Sequence, residues 1–437
     1  MCRRVADYDC DRSSVCPYYM QKVEALIANS AIMSFAYFIL EGRAQTDYSF
    51  GNRDLLVLDE AHSLDQYLIS HIDLTVSPYS LPFKTYEEIG HLLPKEPRSI
   101  EELRALTSTI LDVVDDNKEG LVQINLLGEE LTKDQARSGN KLEGWKMNAE
   151  RFLETSEKTE WVWSTDWTSY RGTNYRTLMI QPLYARFFAK EMIWNRANRF
   201  IISSATFPPP KDFVHEVGLD LIFRGSEIKH IKVPSTFPVE NRPIIDAVNG
   251  KLTYKYKEEN MGWAIQILEI ILDEEEGKNV AVHCVSYNNA LEIADRLDKR
   301  FEDRLIIQTP ETRRDSLEEW LDGKSGRNIF LSVAYTEGQD WAGDLCEAQV
   351  LFKVPYMNIS DKRVARRLEK KEWRWYRLEA LKQVVQAYGR AVRSPTDKAR
   401  FYIIDESFID LLKRTRRDMP DWFVEALPEK WKKLVEK

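Results

Sequence analysis

"NRDLLVLDEAHSLDQYL", residues 52–68, decides how this chain is read. The apolar run Leu55 to Leu58 has the composition of a buried strand and ends abruptly at Asp59 and Glu60, which puts two carboxylates at the C-terminal tip of a strand. Open α/β sheets bind ligands at such tips. Adjacent carboxylates there suit Mg²⁺-assisted phosphoryl transfer: Asp59 holds the metal, usually through water, and Glu60 orients or deprotonates the attacking water. That chemistry also needs a phosphate cradle of the form G-x-x-x-x-G-K-[ST]. The nearest approach, "DGKSGRN" at 322–328, has the wrong spacing and a polar turn composition.

The 437 residues, 43% of them hydrophobic, are enough for two to four domains with sizeable cores. Lys and Arg number 62 against 70 Asp and Glu, a net charge of −8, which argues against a uniformly basic nucleic-acid-coating protein while leaving room for a local basic groove. Met1 is followed by Cys-Arg-Arg without an apolar leader, so a cytoplasmic compartment is expected. "VEALIANSAIMSFAYFIL" at 23–40 approaches the length of a membrane span, but Glu24, Asn29, Ser30 and Ser34 interrupt it. A buried helix followed by a strand is expected there, with no membrane contact.

Of five cysteines, Cys2, Cys10 and Cys16 crowd the start of the chain. In a reducing compartment this spacing suggests metal more than disulfides. Three thiolates do not close a four-ligand site, so zinc with a distant fourth ligand, a [4Fe–4S] cluster and plain thiols all stay open. Cys284 and Cys346 lie in apolar stretches and read as core residues.

Further along, "SIEELRALTSTILDVV" at 99–114 has apolar residues at helical spacing behind a serine cap, and a mostly helical insertion is expected from 76 to 198. At its far end "EWVWSTDW" (160–167) offers Trp161, Trp163 and Trp167, either for stacking on bases or as a half-buried strand, the more ordinary role of alternating aromatics. A second buried strand, "RFIISSATF" at 199–207, ends in Ser203, Ser204 and Thr206. Beyond the proline-rich connectors at 206–213 and 233–243, strand and helix alternate: a helix near 263–272, then strands at 279–286, 305–309, 328–334 and 348–355 with helices between. That order implies a second parallel sheet. Residues 360–393 are the most basic stretch. They are expected to form a helix whose Arg366 and Arg367 either track nucleic-acid phosphates or pair with Glu369, Glu372 and Glu379. It ends at "QAYGRAVR", where Gln386, Gly389, Arg390 and Arg393 gather. Two arginines one helical turn apart can stabilise charge on a transferred γ-phosphoryl group.

In this order the pieces resemble the XPD/DinG-like family of superfamily 2 DNA helicases over nearly the whole chain. "VLDEAH" (57–62), "ISSAT" (202–206), "VSYNNA" (285–290), "LSVAYTEGQDW" (331–341) and "QAYGRAVR" (386–393) resemble its second to sixth motifs, and "CPYYM" (16–20) the end of its iron–sulfur domain. The resemblance implies an α/β fold with two RecA-like parallel-sheet motor domains, the first incomplete and interrupted by a helical Arch-like insertion. Its boundaries would be an iron–sulfur remnant at 1–16, the first motor domain at 17–75 and 199–210, the insertion at 76–198 and the second motor domain at 211–437. It further implies ATP and Mg²⁺ as ligands, with Asp59 and Glu60 acting from one sheet and Arg390 and Arg393 from the other. His62, Thr206, Glu337, Gly338, Asp340, Gln386 and Gly389 would bind nucleotide or couple its state to grip on DNA, and Ser286 and Tyr287 would touch the strand. A [4Fe–4S] cluster would be held by Cys10, Cys16 and Cys2, with a fourth ligand upstream. Implied partners are single-stranded and forked DNA, and implied movement is 5′ to 3′. The family's phosphate loop precedes its cysteines, so the missing half of the site is expected before Met1, encoded upstream or on a second polypeptide.

Overall fold

The computed structural model describes residues 17–43, 50–126, 132–323, 327–333 and 341–436. The chain forms two compact units, one comprising Met1–Ala205, Pro210–Ile228 and Ile359–Lys370, the other Thr206–Pro209, Lys229–Asn358 and Lys371–Lys437.

Unit 1 begins with helices α1 (Pro17–Ile27) and α2 (Phe35–Arg43). The helix-then-strand expectation for residues 23–40 is corrected here: both segments are helical. Ser34 starts the second, its hydroxyl accepting the Tyr37 N–H at 3.2 Å and its carbonyl the Phe38 N–H, so a polar cap outweighs the strand preference of an aromatic run. Nor is the first helix buried, since Val23 and Ile27 are exposed. Strand β1 (Arg53–Leu58) leads through a short turn into α3 (Leu64–Ile72), β2 (Leu74–Val76), α4 (Phe83–Ile89), α5 (Ile100–Leu126) and α6 (Lys133–Thr155). A capping box starts α6: the Thr132 hydroxyl accepts the Gln135 N–H at 3.3 Å and the Gln135 side chain accepts the Thr132 N–H at 2.8 Å.

The insertion is less purely helical than expected. Strands β3 (Trp161–Tyr170) and β4 (Thr173–Pro182) form a ten-residue hairpin, and an antiparallel sheet of order β2-β4-β3 results. Arg171 and Gly172 turn the hairpin with φ of 52° and 82°, the left-handed pair that a two-residue loop requires. Trp161 is a core residue packed edge-on against Phe152 and Phe188. Trp163 donates its indole N–H to the Pro97 carbonyl at 3.0 Å, whereas Trp167 is exposed under the Arg176 guanidinium. The chain then enters β5 (Ala197–Ile202), which pairs parallel with β1 in the register Leu58↔Ile202, and α7 (Pro210–Glu216). Two strands do not bury both faces, so Leu55, Val57 and Ile201 are 47%, 57% and 52% exposed. β1 was expected to be buried, and among the described residues one side of it is about half exposed.

Unit 2 is built on a six-stranded parallel sheet of order β6-β11-β10-β7-β9-β8. Its elements are β6 (Ile244–Asp246), α8 (Lys257–Glu274), β7 (Val280–His283), α9 (Tyr287–Arg296), β8 (Leu305–Ile307), α10 (Arg313–Asp322), β9 (Ile329–Ser332) and β10 (Ala348–Leu351). After β10 the chain runs to unit 1 as α11 (Lys362–Glu369). It then resumes unit 2 with α12 (Trp373–Tyr388), β11 (Arg400–Ile403), α13 (Ser407–Thr415), α14 (Asp421–Glu425) and α15 (Glu429–Glu436). Strand alternation sends Val280 and Val282 into one buried layer, packed on α8 and α9, and Ala281 into another around Trp320, Phe330 and Trp341. On the same face as Ala281, a further cluster under α12 and α13 gathers Leu351, Phe401, Ile403, Leu381 and Phe408. The fold is therefore α/β, two parallel-sheet cores with interspersed helical insertions. The single basic helix expected over 360–393 is two helices, broken where Lys371 takes φ of 65°. Cys284 and Cys346 are fully buried core residues, and burial raises both thiols, Cys346 to about 12. No helix among the described residues is long and apolar enough to cross a membrane.

Candidate active site

Parallel pairing brings the tips of β1 and β5 side by side, and their polar ends knit into one network. The Ser203 N–H donates to the Leu58 carbonyl at 2.9 Å and the Ala61 N–H to the Ser203 carbonyl at 3.1 Å, so the ladder continues past the strands. Asp59 Oδ1 accepts the Ser203 hydroxyl at 2.8 Å and the Glu60 N–H at 3.0 Å. The Ser204 hydroxyl donates to Glu60 Oε2 at 3.3 Å and lies 2.8 Å from His62 Nδ1, which is itself 3.3 Å from Glu60 Oε2. His62 is buried while Asp59 and Glu60 are exposed. The carboxylates thus face solvent on a fixed base.

Glu60 has φ of 50°, a left-handed conformation that costs a non-glycine residue about 1 kcal/mol or more. It turns the backbone between β1 and the short helical turn at Ala61–Ser63. One oxygen of Asp59 is fixed by Ser203, and the exposed carboxylate still fits a metal ion bound through water. Ser203 and Ser204, in the sequence only contact candidates, hydrogen-bond to Asp59 and Glu60 respectively.

The second group lies on unit 2. Arg390 and Arg393 follow α12 instead of riding on it, because the helix ends at Tyr388 with Gly389 as its cap. The Arg390 guanidinium sits 5.6 Å from the Trp341 ring centre, within cation–π range. Trp341 in turn stacks on His283, 6.0 Å between centroids and 14° between planes, and donates its backbone N–H to the Arg390 carbonyl at 3.3 Å. Burial lowers His283 to about 4, so the stacked imidazole is neutral at physiological pH. Arg390 is buried and Arg393 exposed, the Arg393 N–H held by Asp397 at 2.9 Å. The aromatic support was not foreseen, although Trp341 lies within the motif that drew attention to its neighbours.

Thr206 is buried beside a small hollow lined by Phe207, Leu378, Leu381, Lys382 and Val385. Ser286 caps α9, its hydroxyl accepting the Asn289 N–H at 3.2 Å, and the preceding Val285 has φ of 71°. Tyr287 opens the helix, half-buried, and Gln386 lies half-buried near the end of α12. Glu337, Gly338 and Asp340, like Cys2, Cys10 and Cys16, lie outside the described residues. Among the described residues no group of three or more His, Cys, Asp or Glu side chains is placed to hold a metal ion.

Arg366 and Arg367, expected either to track phosphates or to pair with Glu369, Glu372 and Glu379, are both ion-paired, and for the buried Arg367 the phosphate-tracking role is corrected. Arg367 is 1% exposed, grips Glu216 through two hydrogen bonds of 2.9 and 2.6 Å and lies over the Tyr184 ring. No face of it remains for a nucleic-acid backbone. Arg366 is half-exposed but held by Glu160 at 2.5 Å and Glu369 at 2.9 Å.

Two family models match the chain: one described as helicase C-terminal domain, over residues 268–426, and DEAD_2, over residues 6–81. Together these matches make the domain architecture similar to that of superfamily 2 helicases, at a distance from the DinG type. Among curated proteins the chain is similar to the ATP-dependent DNA helicase DinG of Photobacterium profundum, 24% identical over 248 residues. That match covers 53% of this chain and 35% of the relative. Asp59, Glu60 and His62 fall in the DEAD_2 match and the arginine loop in the C-terminal-domain match, whereas Ser203 and Ser204 lie outside both.

Proposed function

We propose that this chain is the carboxylate- and arginine-bearing part of an ATP-dependent DNA helicase that moves 5′ to 3′ on single-stranded and forked DNA. The observation that carries the reading is the Asp59–Ser203 and Glu60–Ser204 pairing at adjacent parallel strand tips. Asp59 would hold a Mg²⁺ ion, which would supply neutralisation of phosphate charge, and Glu60 would orient the attacking water. Arg390, braced by Trp341, and Arg393 are assigned to the γ-phosphate. His62 and Thr206 relay nucleotide state, with Glu337, Gly338, Asp340, Gln386 and Gly389 on the coupling side, and Ser286 and Tyr287 meet the DNA strand.

ATP turnover also requires backbone N–H groups and a lysine around the β- and γ-phosphates, and residues 1–437 contain no such loop. We assign that part to a further βα segment, supplied by additional sequence or by another polypeptide. The half-exposed face of β1 and β5 supports this, because parallel strands are normally covered on both sides. Cys2, Cys10 and Cys16 are proposed ligands of a [4Fe–4S] cluster.

The 437-residue chain is accordingly expected to show no appreciable DNA-stimulated ATPase activity, and robust turnover by the purified chain would overturn the assignment of the cradle elsewhere. In a preparation in which an added segment restores turnover, Glu60→Gln should abolish hydrolysis and spare DNA binding. Unchanged hydrolysis removes Glu60 from its role. A second reading, a non-catalytic DNA- or partner-binding protein with the same fold, is favoured by the absent loop, and it predicts that no added segment restores turnover.

A further inference from the structure

Helix α11 is embedded in sequence between unit 2 elements, yet residues 359–370 belong to unit 1. Only Val364 and Arg367 of its eight residues are buried, so little apolar surface holds it. Charge does. Each of the five bases between residues 362 and 370 faces a carboxylate carried by another segment of unit 1. Lys362 lies 3.8 Å from Glu96, Arg363 3.8 Å from Asp65, Arg366 2.5 Å from Glu160, Arg367 2.6 Å from Glu216 and Lys370 2.8 Å from Glu160. Arg363 also donates from Nε to the Leu183 carbonyl at 3.1 Å. The four carboxylates come from α3, the loop before α5, the entry to β3 and α7.

Three further features bear on how this helix behaves. Eight residues are too few to hold a helix in isolation, so its order depends on docking. Its attachment is mainly ionic and mostly at partly exposed positions, which makes it sensitive to screening in a way that an apolar seam is not. Immediately after it, Lys371 occupies the left-handed region at φ 65°, a local strain that release of the helix would relieve.

We propose that α11 is an electrostatic latch: a piece of chain flanked on both sides by unit 2 that docks on unit 1 through matched charges and can leave as one piece. Its partner Asp65 belongs to α3, the helix that follows the Asp59–His62 turn, so docking ties that turn to the covalent path of unit 2. Arg367 is the pin of the latch. It is the most buried base of the five and pairs bidentately with Glu216, so removal of either partner leaves a desolvated charge. The other four pairs set the approach and the specificity of the seat.

The test is peptide-resolved hydrogen exchange on the full 437-residue chain, with charge reversals and a charge swap. Arg367→Glu and Glu216→Arg are each expected to speed exchange of the α11 amides at least tenfold while β7 and β10 stay as slow as in the wild type. The double variant Arg367→Glu/Glu216→Arg should recover most of the protection, and Arg366→Glu/Lys370→Glu should give a smaller loss in the same segment. In the wild type, raising salt from about 0.1 M to about 1 M, where the screening length falls from roughly 10 Å to 3 Å, should loosen α11 selectively. Exchange in α11 that tracks the rest of unit 1 under every condition would overturn the latch. So would a folded swap variant with no recovery, or loss of native structure in Arg367→Glu, since each makes α11 an integral part of the unit.

Discussion

Asp405 offers the sharpest quantitative check on unit 2. It lies just beyond β11 and is 1% exposed. Its Oδ1 accepts the backbone N–H of Leu252 at 3.0 Å and of Ser407 at 2.9 Å, and Oδ2 accepts that of Val354 at 3.0 Å. One carboxylate therefore ties the segment before α8, the end of the β10 segment and the start of α13. Asp405→Ala would leave three buried N–H groups without this acceptor. At about 1–3 kcal/mol for each stranded donor, and with some water entry, the loss should be about 4 kcal/mol, a large part of the roughly 5–15 kcal/mol that holds a domain together. Asp405→Asn keeps one oxygen and turns an NH₂ toward at least one former partner, for a loss of about 2 kcal/mol. Urea unfolding followed by hydrogen exchange in β10 and β11 reads the effect. With a slope of about 2 kcal/mol per molar, the amide variant should shift the midpoint by about 1 M and the alanine variant by about 2 M. If both variants stay within about 0.5 kcal/mol of the wild type, the carboxylate is not the tie described and the reasoning fails.

His283 is held neutral by burial, its pKa lowered from 6.5 to about 4. The folded state therefore binds fewer protons than the unfolded one. The associated stability is fully present above pH 6.5 and is lost as pH falls toward 4, by up to about 3 kcal/mol; His283→Gln should remove that part of the slope in acid unfolding, and an unchanged slope would exclude His283 as its source. Trp341→Leu should destabilise unit 2 by about 2–4 kcal/mol through the cavity it opens, whereas Trp341→Phe, which keeps a ring beneath Arg390, should lose less; equal losses would remove any special role for the aromatic face. For the amino-terminal cysteines, iron and acid-labile sulfide in similar amounts after anaerobic purification would support a cluster, and stoichiometric zinc without sulfide would establish a zinc site instead.

The parts of the fold that could be read from sequence are those where one local rule acts alone. The strands at 279–286, 305–309, 328–334 and 348–355 are apolar on both faces because helices cover both sides of a parallel sheet, and all four appear in the six-stranded sheet. Strands β6 and β11, of three and four residues, fall in the same range of length as β7 to β10, but β6 directly follows the proline-rich connector and β11 opens on a charged residue, so neither stands out as an apolar run. The hairpin partner β4 was missed because "TNYRTLMIQP" mixes polar and apolar residues where one face meets solvent. The Asp59–Glu60 pair was legible since a strand that ends in two acids has few structural reasons to do so. Its serine supports were only half legible, because their roles depend on a parallel register across 144 positions. Pairing of the α11 arginines within their own segment was legible, as with Arg366 and Glu369, but not the carboxylates up to 206 positions away that also meet them.

The half-exposed side of β1 and β5, as seen among the described residues, bears directly on whether the Asp59–Ser203 network can form without the completing segment proposed above. Leu55, Val57 and Ile201 are each about half exposed, and covering what remains would contribute about 1 kcal/mol apiece, near 3 kcal/mol in all. A two-stranded parallel ribbon has little stability of its own, so packing on its other face must hold it; there Leu58 is buried and Phe200 packs edge-on against Trp194 and Phe223. The carboxylate network is thus seated from behind and needs no cover in front to form. Val57→Asp separates the two sides. In the chain alone it should change stability by no more than about 0.5 kcal/mol, as expected of an exposed position, and leave the Asp59–Ser203 geometry intact. It should also block rescue of ATP turnover by any added βα segment, since a charge would then be buried against an apolar helix or strand. A loss above about 2 kcal/mol in the chain alone would show that the face is already covered, and with that the case for a completing segment would fall.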